Sequence, residues 1–260
     1  NAPAARPQIG LGSARFLFEV PVEGGLTRFL GLFSPADVLV GPVRSLRPVD
    51  VDLIPALSGT AVATGGRPFV VSPLEANGVS VVGFDDTASV LQSLERPRPH
   101  NLFVNLSQIE VADVPPGLPE GDLPPPAGSA QEITIPYSSP VTWTFGDGGY
   151  ERSADGETTT FLPEYGADPV PLVADTVVVM SVGERRAGYT DVNEAEVPDF
   201  DVIGSGELVV FSHGQAFEGT WSRGALTEPF TFATRAGEEF GLPTGLVFLH
   251  LLGNTLQPSY

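Results

Sequence analysis

Three stretches of this chain gather the residue types able to hold or transform a ligand. In "GPVRSLRP" two arginines, Arg44 and Arg47, flank Ser45 just before Pro48. "EVPVEGGLTRF" sets Glu19, Glu23, Thr27 and Arg28 around a Gly-Gly pair, and "RPRPHNLF" ends on His100 and Asn101. Guanidinium forks match the geometry of carboxylate and phosphate. Pro48 suits the first turn of a helix, and free N–H groups at a helix start would add to an anion site. The expected ligand set is Glu23, Thr27, Arg28, Arg44, Ser45, Arg47, His100 and Asn101. Glu23 or His100 could also act as acid or base. The competing account is structural: Arg44 or Arg47 pairs with Glu19, Glu23 or Asp50 inside the fold.

Several other chemistries lack their residues. "ATGGRPF" offers a second Gly pair with Arg67, but without Walker or dinucleotide spacing. No Gly-x-Ser-x-Gly elbow and no HExxH occurs. The absence of cysteine removes thiolate metal sites and a thiol nucleophile. His213 and His250 have no spaced ligand partners, and the acidic run Asp191 to Asp201 departs from the EF-hand order. Neither a metal nor a cofactor is expected.

Charge sharpens the interest in the arginines. The chain has 13 basic residues, every one Arg, against 32 acidic ones. Residues 1–98 are nearly balanced at net −1, whereas residues 99–260 carry the remaining −18. So negative a second half repels phosphate backbones, and direct nucleic-acid binding is not expected. No apolar run approaches the roughly 18 to 20 residues that span a bilayer.

The elements that must position these residues can be sketched from pattern. "ARFLFEVPV" and "LTRFLGLF" suit buried strands joined by a turn at Glu23-Gly24-Gly25, and "DVLVGPV" a third. Pro48 opens a helix that Pro55 bends or ends early. "GTAVATGG" and "VSVVGF" read as further strands, and "DDTASVLQSLER" as a helix with Val90, Leu91 and Leu94 on one face. Beyond Asp113, strand-like runs such as "VTWTF", "DTVVVMSV", "GELVVF" and "LVFLHLL" alternate with turn signals. The expected fold is α+β: a mixed α/β domain over 1–113, a Pro-rich linker or surface crossing over 114–131, and a β-rich domain over 132–260.

"ARPQIGL", "VEGGLTRFLGLF", "GPVRSLRP" and "RPHNLF", in that order, resemble the YerB-like lipoproteins of Gram-positive bacteria, a family of unknown function. The likeness continues through "YERS", "DTVVVMSV", "GSGELVVFSHGQAFEGTWSR" and "GEEFGLPTGLVFLHL". It implies a two-part, exported protein, membrane-anchored through a lipidated cysteine upstream of the folded region. It also implies that the sequence starts inside the family's first domain, after a strand that normally precedes Asn1. A protein partner, a DNA-repair helicase among them, is a further implication that an exported acidic protein fits poorly.

The functional expectation is an extracytoplasmic, non-enzymatic protein binding an anionic small molecule or wall polymer, such as a cell-wall fragment or glycan. Its alternatives are a hydrolase or transferase acting on a wall polymer, and a protein-interaction scaffold.

Overall fold

Two runs, residues 177–180 and 247–252, are apolar without alternation apart from His250, the pattern of strands covered on both faces. They form the centre of the main sheet. The computed structural model describes residues 2–83, 91–111, 117–191 and 194–260. In chain order its principal elements are β1 (Ala14–Pro21), β2 (Thr27–Phe33), α1 (Pro48–Leu57), β3 (Thr60–Val62), α2 (Pro68–Ala76) and β4 (Ser80–Val82). There follow β5 (Val141–Gly146), β6 (Gly149–Ala154), β7 (Thr176–Thr190), β8 (Glu196–Asp201), β9 (Gly204–Ser212), β10 (Gln215–Arg223) and β11 (Val247–Gly253).

The main sheet has ten strands among the described residues. From one edge it runs Glu239–Phe240, Thr231–Ala233, β10, β9, β7, β11, β1, β2, with β8 added on β7 and Gly128–Ser129 on β10. β11 is parallel to both neighbours, β7 and β1, so the last long strand is inserted between the two halves of the chain. β1 and β2, from the first 113 residues, therefore share one sheet with the β-rich part.

Strand alternation divides the core. Phe18, Val178, Met180, Leu249 and Leu251 face one side, where Val49, Leu53 and Leu57 of α1 cover them. Leu17, Val177, Val179, Phe248 and Leu252 face the other, covered by Ile133, Trp143 and Tyr150 of a second sheet that contains β5 and β6. A third, smaller cluster joins Ile54 of α1 to Ala61, Val70, Leu74 and Val79. There β3 and β4 pair in parallel with α2 as their crossover.

Among the described residues α-helix is confined to α1 and α2. The fold is mostly β, and the α/β character expected of residues 1–113 reduces to this one β3–α2–β4 unit. Three local expectations change. The helix over 85–96 falls partly outside the described residues, and Leu91–Ser93 is instead a strand antiparallel to Leu102–Asn105, whose ladder satisfies the backbone groups a helix would have used. Pro55 does not end α1: it sits in the last turn, and the Ser58 N–H still reaches the Ile54 carbonyl at 2.8 Å. The short "DVLVGPV" strand is only Leu39–Val40.

The described part of 114–131 is strapped onto the sheet. Gly117 accepts from the Phe230 N–H, Leu118 is buried in the main core, and the Ala127 N–H bonds the Ala216 carbonyl.

Candidate functional site

The arginine segment is held extended by three backbone bonds. The Val43 N–H donates to the Leu102 carbonyl at 2.7 Å, the Thr64 N–H to Arg44 at 3.2 Å, and the Leu46 N–H to Gly65 at 2.9 Å. These bonds set Arg44 to Arg47 beside the loop after β3 and beside the strand that follows His100. Glu23 enters from the β1–β2 turn, where Gly24 and Gly25 each take φ of 71°, a left-handed conformation that suits glycine. Arg28 comes from β2.

Arg28, Arg44, Arg47, Glu23, Ser45 and His100 do converge. Arg47 grips Glu23 with both ends of its fork: Nε donates to Oε2 at 2.9 Å and Nη2 to Oε1. Arg28 donates to the Ser45 carbonyl and lies 3.9 Å from Glu23. Ser45 Oγ meets Thr64 Oγ1 at 3.2 Å. Arg44 Nη1 donates to His100 Nδ1 at 3.0 Å. Arginine cannot accept, so the imidazole proton sits on Nε2 and remains a donor.

The electrostatics follow from this arrangement. Burial alone would raise the Glu23 pKa, but the Arg47 hydrogen bonds and charge, with Arg28, bring it down to about 2. Glu23 is thus a fixed anion that orients Arg47, and it cannot serve as a general acid near neutrality. Burial and the Arg47 charge pull the Arg28 pKa down to about 10 and lower that of Arg44, yet both stay cationic at neutral pH. Burial and the Arg44 charge lower the His100 pKa as well, which keeps the ring neutral. Among the described residues Arg44 has no carboxylate at ion-pair distance, and its one side-chain hydrogen bond goes to His100.

Two expected members and the helix start behave differently. Thr27 donates to Glu19 Oε1 at 2.6 Å, on the side of β2 away from the arginines. Asn101 is tied by its carbonyl to the Leu94 N–H at 2.9 Å and is half-buried. At the start of α1 the Asp50 carboxylate accepts from the Arg47 N–H at 2.7 Å, and Val49 and Asp50 are themselves buried. Burial pushes the Asp50 pKa up to about 6, against the pull of that N–H, Arg28 and Arg47.

A second polar cluster was not anticipated as a unit. β1 and β11 are in register with Glu19 opposite His250, and Trp143 of β5 pairs with Arg152 of β6 on the covering sheet. Where the sheets meet, Arg152 Nη2 donates to Glu19 at 2.7 and 2.9 Å and Nη1 to Thr159 Oγ1 at 2.6 Å. Trp143 Nε1 donates to His250 Nε2 at 2.9 Å, so the His250 proton is on Nδ1, which faces Tyr137 at 3.3 Å and Glu19 at 3.6 Å. Glu19, Arg152 and His250 are each 0% exposed. The clue was an acidic residue and a histidine inside the apolar strands "FLFEV" and "VFLHLL", since such groups are buried only with partners.

The buried cluster has no access to solvent and works as a staple between the sheets, whereas the arginine cluster is partly exposed, with the side chains of Arg28, Arg47 and Glu23 at 21%, 18% and 12%. A concavity of about 520 Å³ lies elsewhere, beside Arg15, Ser34, Phe161, Asp175 and Gly245. Arg15 there is occupied by the Gly245 and Pro243 carbonyls and by Glu120.

Residues 1–114 match the model of the N-terminal domain of a family described as a protein of unknown function, DUF3048, and residues 133–249 match its C-terminal domain. The protein named Putative lipoprotein YerB of Bacillus subtilis strain 168 is 26% identical over 244 residues, covering 86% of this chain and 71% of that protein. The crystal structure of YerB from Bacillus subtilis superimposes with a TM-score of 0.77 at 20% identity, over 100% of this chain and 91% of the other; at that identity the likeness is one of fold. With matches over both parts of the sequence and over the whole fold, the chain belongs to the DUF3048 family of YerB-like proteins.

Proposed function

We propose that this is an exported cell-envelope protein that binds an anionic group, such as the carboxylate or phosphate of a wall fragment or glycan, at the face formed by Arg28, Arg44, Arg47 and His100. The observation that carries the reading is Arg44, a half-buried guanidinium with no carboxylate partner among the described residues, in a chain of net charge −19. The Glu23 carboxylate neutralises Arg47 directly, whereas Arg44 is hydrogen-bonded to a neutral imidazole and feels the Glu23 charge only at longer range. Arg28 and the His100 Nε2–H supply further donors on the same face.

The name of the Bacillus relative, a putative lipoprotein, supports an extracytoplasmic and lipid-anchored setting. The binding reading is favoured over hydrolysis or transfer because Glu23, the carboxylate best placed for acid or base work, is bound to Arg47 and held at about 2.

Calorimetric titration with inorganic phosphate and with N-acetylmuramic acid, a carboxylated sugar, tests the proposal. Both are expected to bind the intact chain. Arg44→Ala is expected to weaken binding about tenfold or more, the scale of one charge-assisted hydrogen bond, without lowering the melting temperature. Unchanged affinity in Arg44→Ala, or no binding by the wild type, would overturn it.

A further inference from the structure

Beside the arginine face stands an aromatic pair that the core does not need. Phe69, at the start of α2, is 53% exposed. Its ring meets that of Tyr189 edge-on, with centroids 5.0 Å apart, and the Arg67 guanidinium lies over the Tyr189 ring at 5.6 Å.

The two aromatic residues come from opposite parts of the chain. The first seven residues of β7 are core, but its distal half, from Gly183, runs out with β8 as an arm whose end carries Tyr189. The β7–β8 register shifts between Arg186 and Thr190, with Gly188 at φ 79°. Such a bulge re-aims the neighbouring side chain. Tyr189 is thereby turned onto Arg67 and Phe69, near enough to the Glu23–Arg47 pair for both charges to act on its phenol. From the other side, the Leu46 N–H to Gly65 bond and the Thr64 N–H to Arg44 bond hold the loop leading to Arg67 and Phe69 against the arginine segment. The aromatic pair and the arginine segment are therefore held next to one another by this loop.

We infer that Phe69 and Tyr189 form a stacking platform beside the cationic cluster, so that the ligand is an anionic saccharide: a pyranose ring on the aromatic surface with its carboxylate or phosphate on Arg44 and Arg28. This rests on the anion-binding reading and adds the ring to it. The apolar C–H face of a pyranose suits an exposed aromatic ring, and a site that combines aromatic area with a few placed polar groups is the usual composition of a small-molecule site. A free inorganic anion would use only the guanidinium half, and a neutral sugar only the aromatic half. The acidic second half of the chain disfavours a nucleic acid as the source of the phosphate.

The test compares three probes on the intact chain: N-acetylmuramic acid, with ring and carboxylate; lactate, which has its carboxylate without the ring; and N-acetylglucosamine, with the ring alone. N-acetylmuramic acid is expected to bind about tenfold tighter than lactate, the scale of one aromatic contact. Phe69→Ala and Tyr189→Leu should each lose most of that advantage while leaving lactate affinity unchanged, and Tyr189→Phe should keep it. Equal affinities for N-acetylmuramic acid and lactate, with no effect of Phe69→Ala, would overturn the platform and leave the anion site standing. If N-acetylglucosamine bound as well as N-acetylmuramic acid and Arg44→Ala changed nothing, the anion site would fall, and the proposal with it. Absence of binding by N-acetylmuramic acid would likewise overturn it.

Discussion

Replacing Arg152 by Met removes two bonds to Glu19 and one to Thr159 at a place with no access to water. The thioether can fill much of the volume, so the cost is chiefly that of a carboxylate left buried and unpaired, about 3–5 kcal/mol. Against a typical total stability of about 5–15 kcal/mol, that is a large share. The pH dependence of the loss is specific. In the wild type, burial raises the Glu19 pKa but Arg152, His250 and Thr27 outweigh it, and the net shift is downward. Its stabilisation is therefore present above the ordinary value of 4.5 and is lost as pH falls through the lower folded value. Without Arg152 the burial effect is left largely unopposed, the carboxyl titrates high, and the penalty is greatest at neutral pH and relieved by acid. Urea unfolding followed by tryptophan fluorescence reads this directly, because Trp143 donates into the cluster through His250. Arg152→Met should lose about 3–5 kcal/mol at pH 7 and less at pH 4, and Glu19→Leu added to it should restore most of the loss. A loss under about 1 kcal/mol, or no recovery in the double variant, would refute the staple.

His250 makes a related but separable contribution. Burial and Arg152 hold its pKa at about 3 despite Glu19, so the unfolded chain binds a proton that the folded chain refuses below the ordinary 6.5. Stability should fall as pH drops below 6.5, with a slope of about one proton, and His250→Gln should flatten that slope in a pH-dependent urea series. Glu23→Gln should cost about 1–3 kcal/mol, since it removes a two-pronged charge-assisted pair whose side chains are only 18% and 12% exposed. It should also tighten phosphate binding measured by calorimetry, because a competing anion is removed; weaker binding would mean that Glu23 itself contacts the ligand. At Gly206 a Cβ would sit 2.2 Å from the Ser181 carbonyl oxygen and 2.7 Å from Trp221 Nε1. Gly206→Ala should therefore break the 2.8 Å Trp221–Ser181 bond and cost about 1–3 kcal/mol, visible as a changed near-UV signal of Trp221.

The sheet was legible where the pattern has one physical meaning. "VTWTF", "DTVVVMSV" and "LVFLHLL" are strands because β-branched, aromatic and aliphatic runs bounded by turn residues have few other uses, and Pro48 marks the start of α1. Pairing order was not legible: nothing local tells β11 to lie between β7 and β1, since that depends on contacts distant in the chain. Leu91–Ser93 was misread because a short apolar stretch fits a helix face as well as a strand, and its partner at Leu102–Asn105 decided it. α2 was not foreseen because Pro73 interrupts a run rich in valine, whose helix propensity is poor. At the site, the clustering of Arg28, Arg44, Arg47 and His100 followed from which residues were rare in so acidic a chain. Thr27 bonds Glu19 on the opposite side of β2 from Arg28 because adjacent strand residues face opposite ways. Tyr189 could not have been found, because its place depends on a bulge in an arm more than a hundred positions away.

A crystal structure of the intact chain with N-acetylmuramic acid bears most directly on the central claim. The account predicts the carboxylate within hydrogen-bond distance of Arg44 and Arg28, with its ring against Phe69. Occupancy only at surface arginines such as Arg186 or Arg235, with Arg44 still bonded to His100 alone, would contradict it.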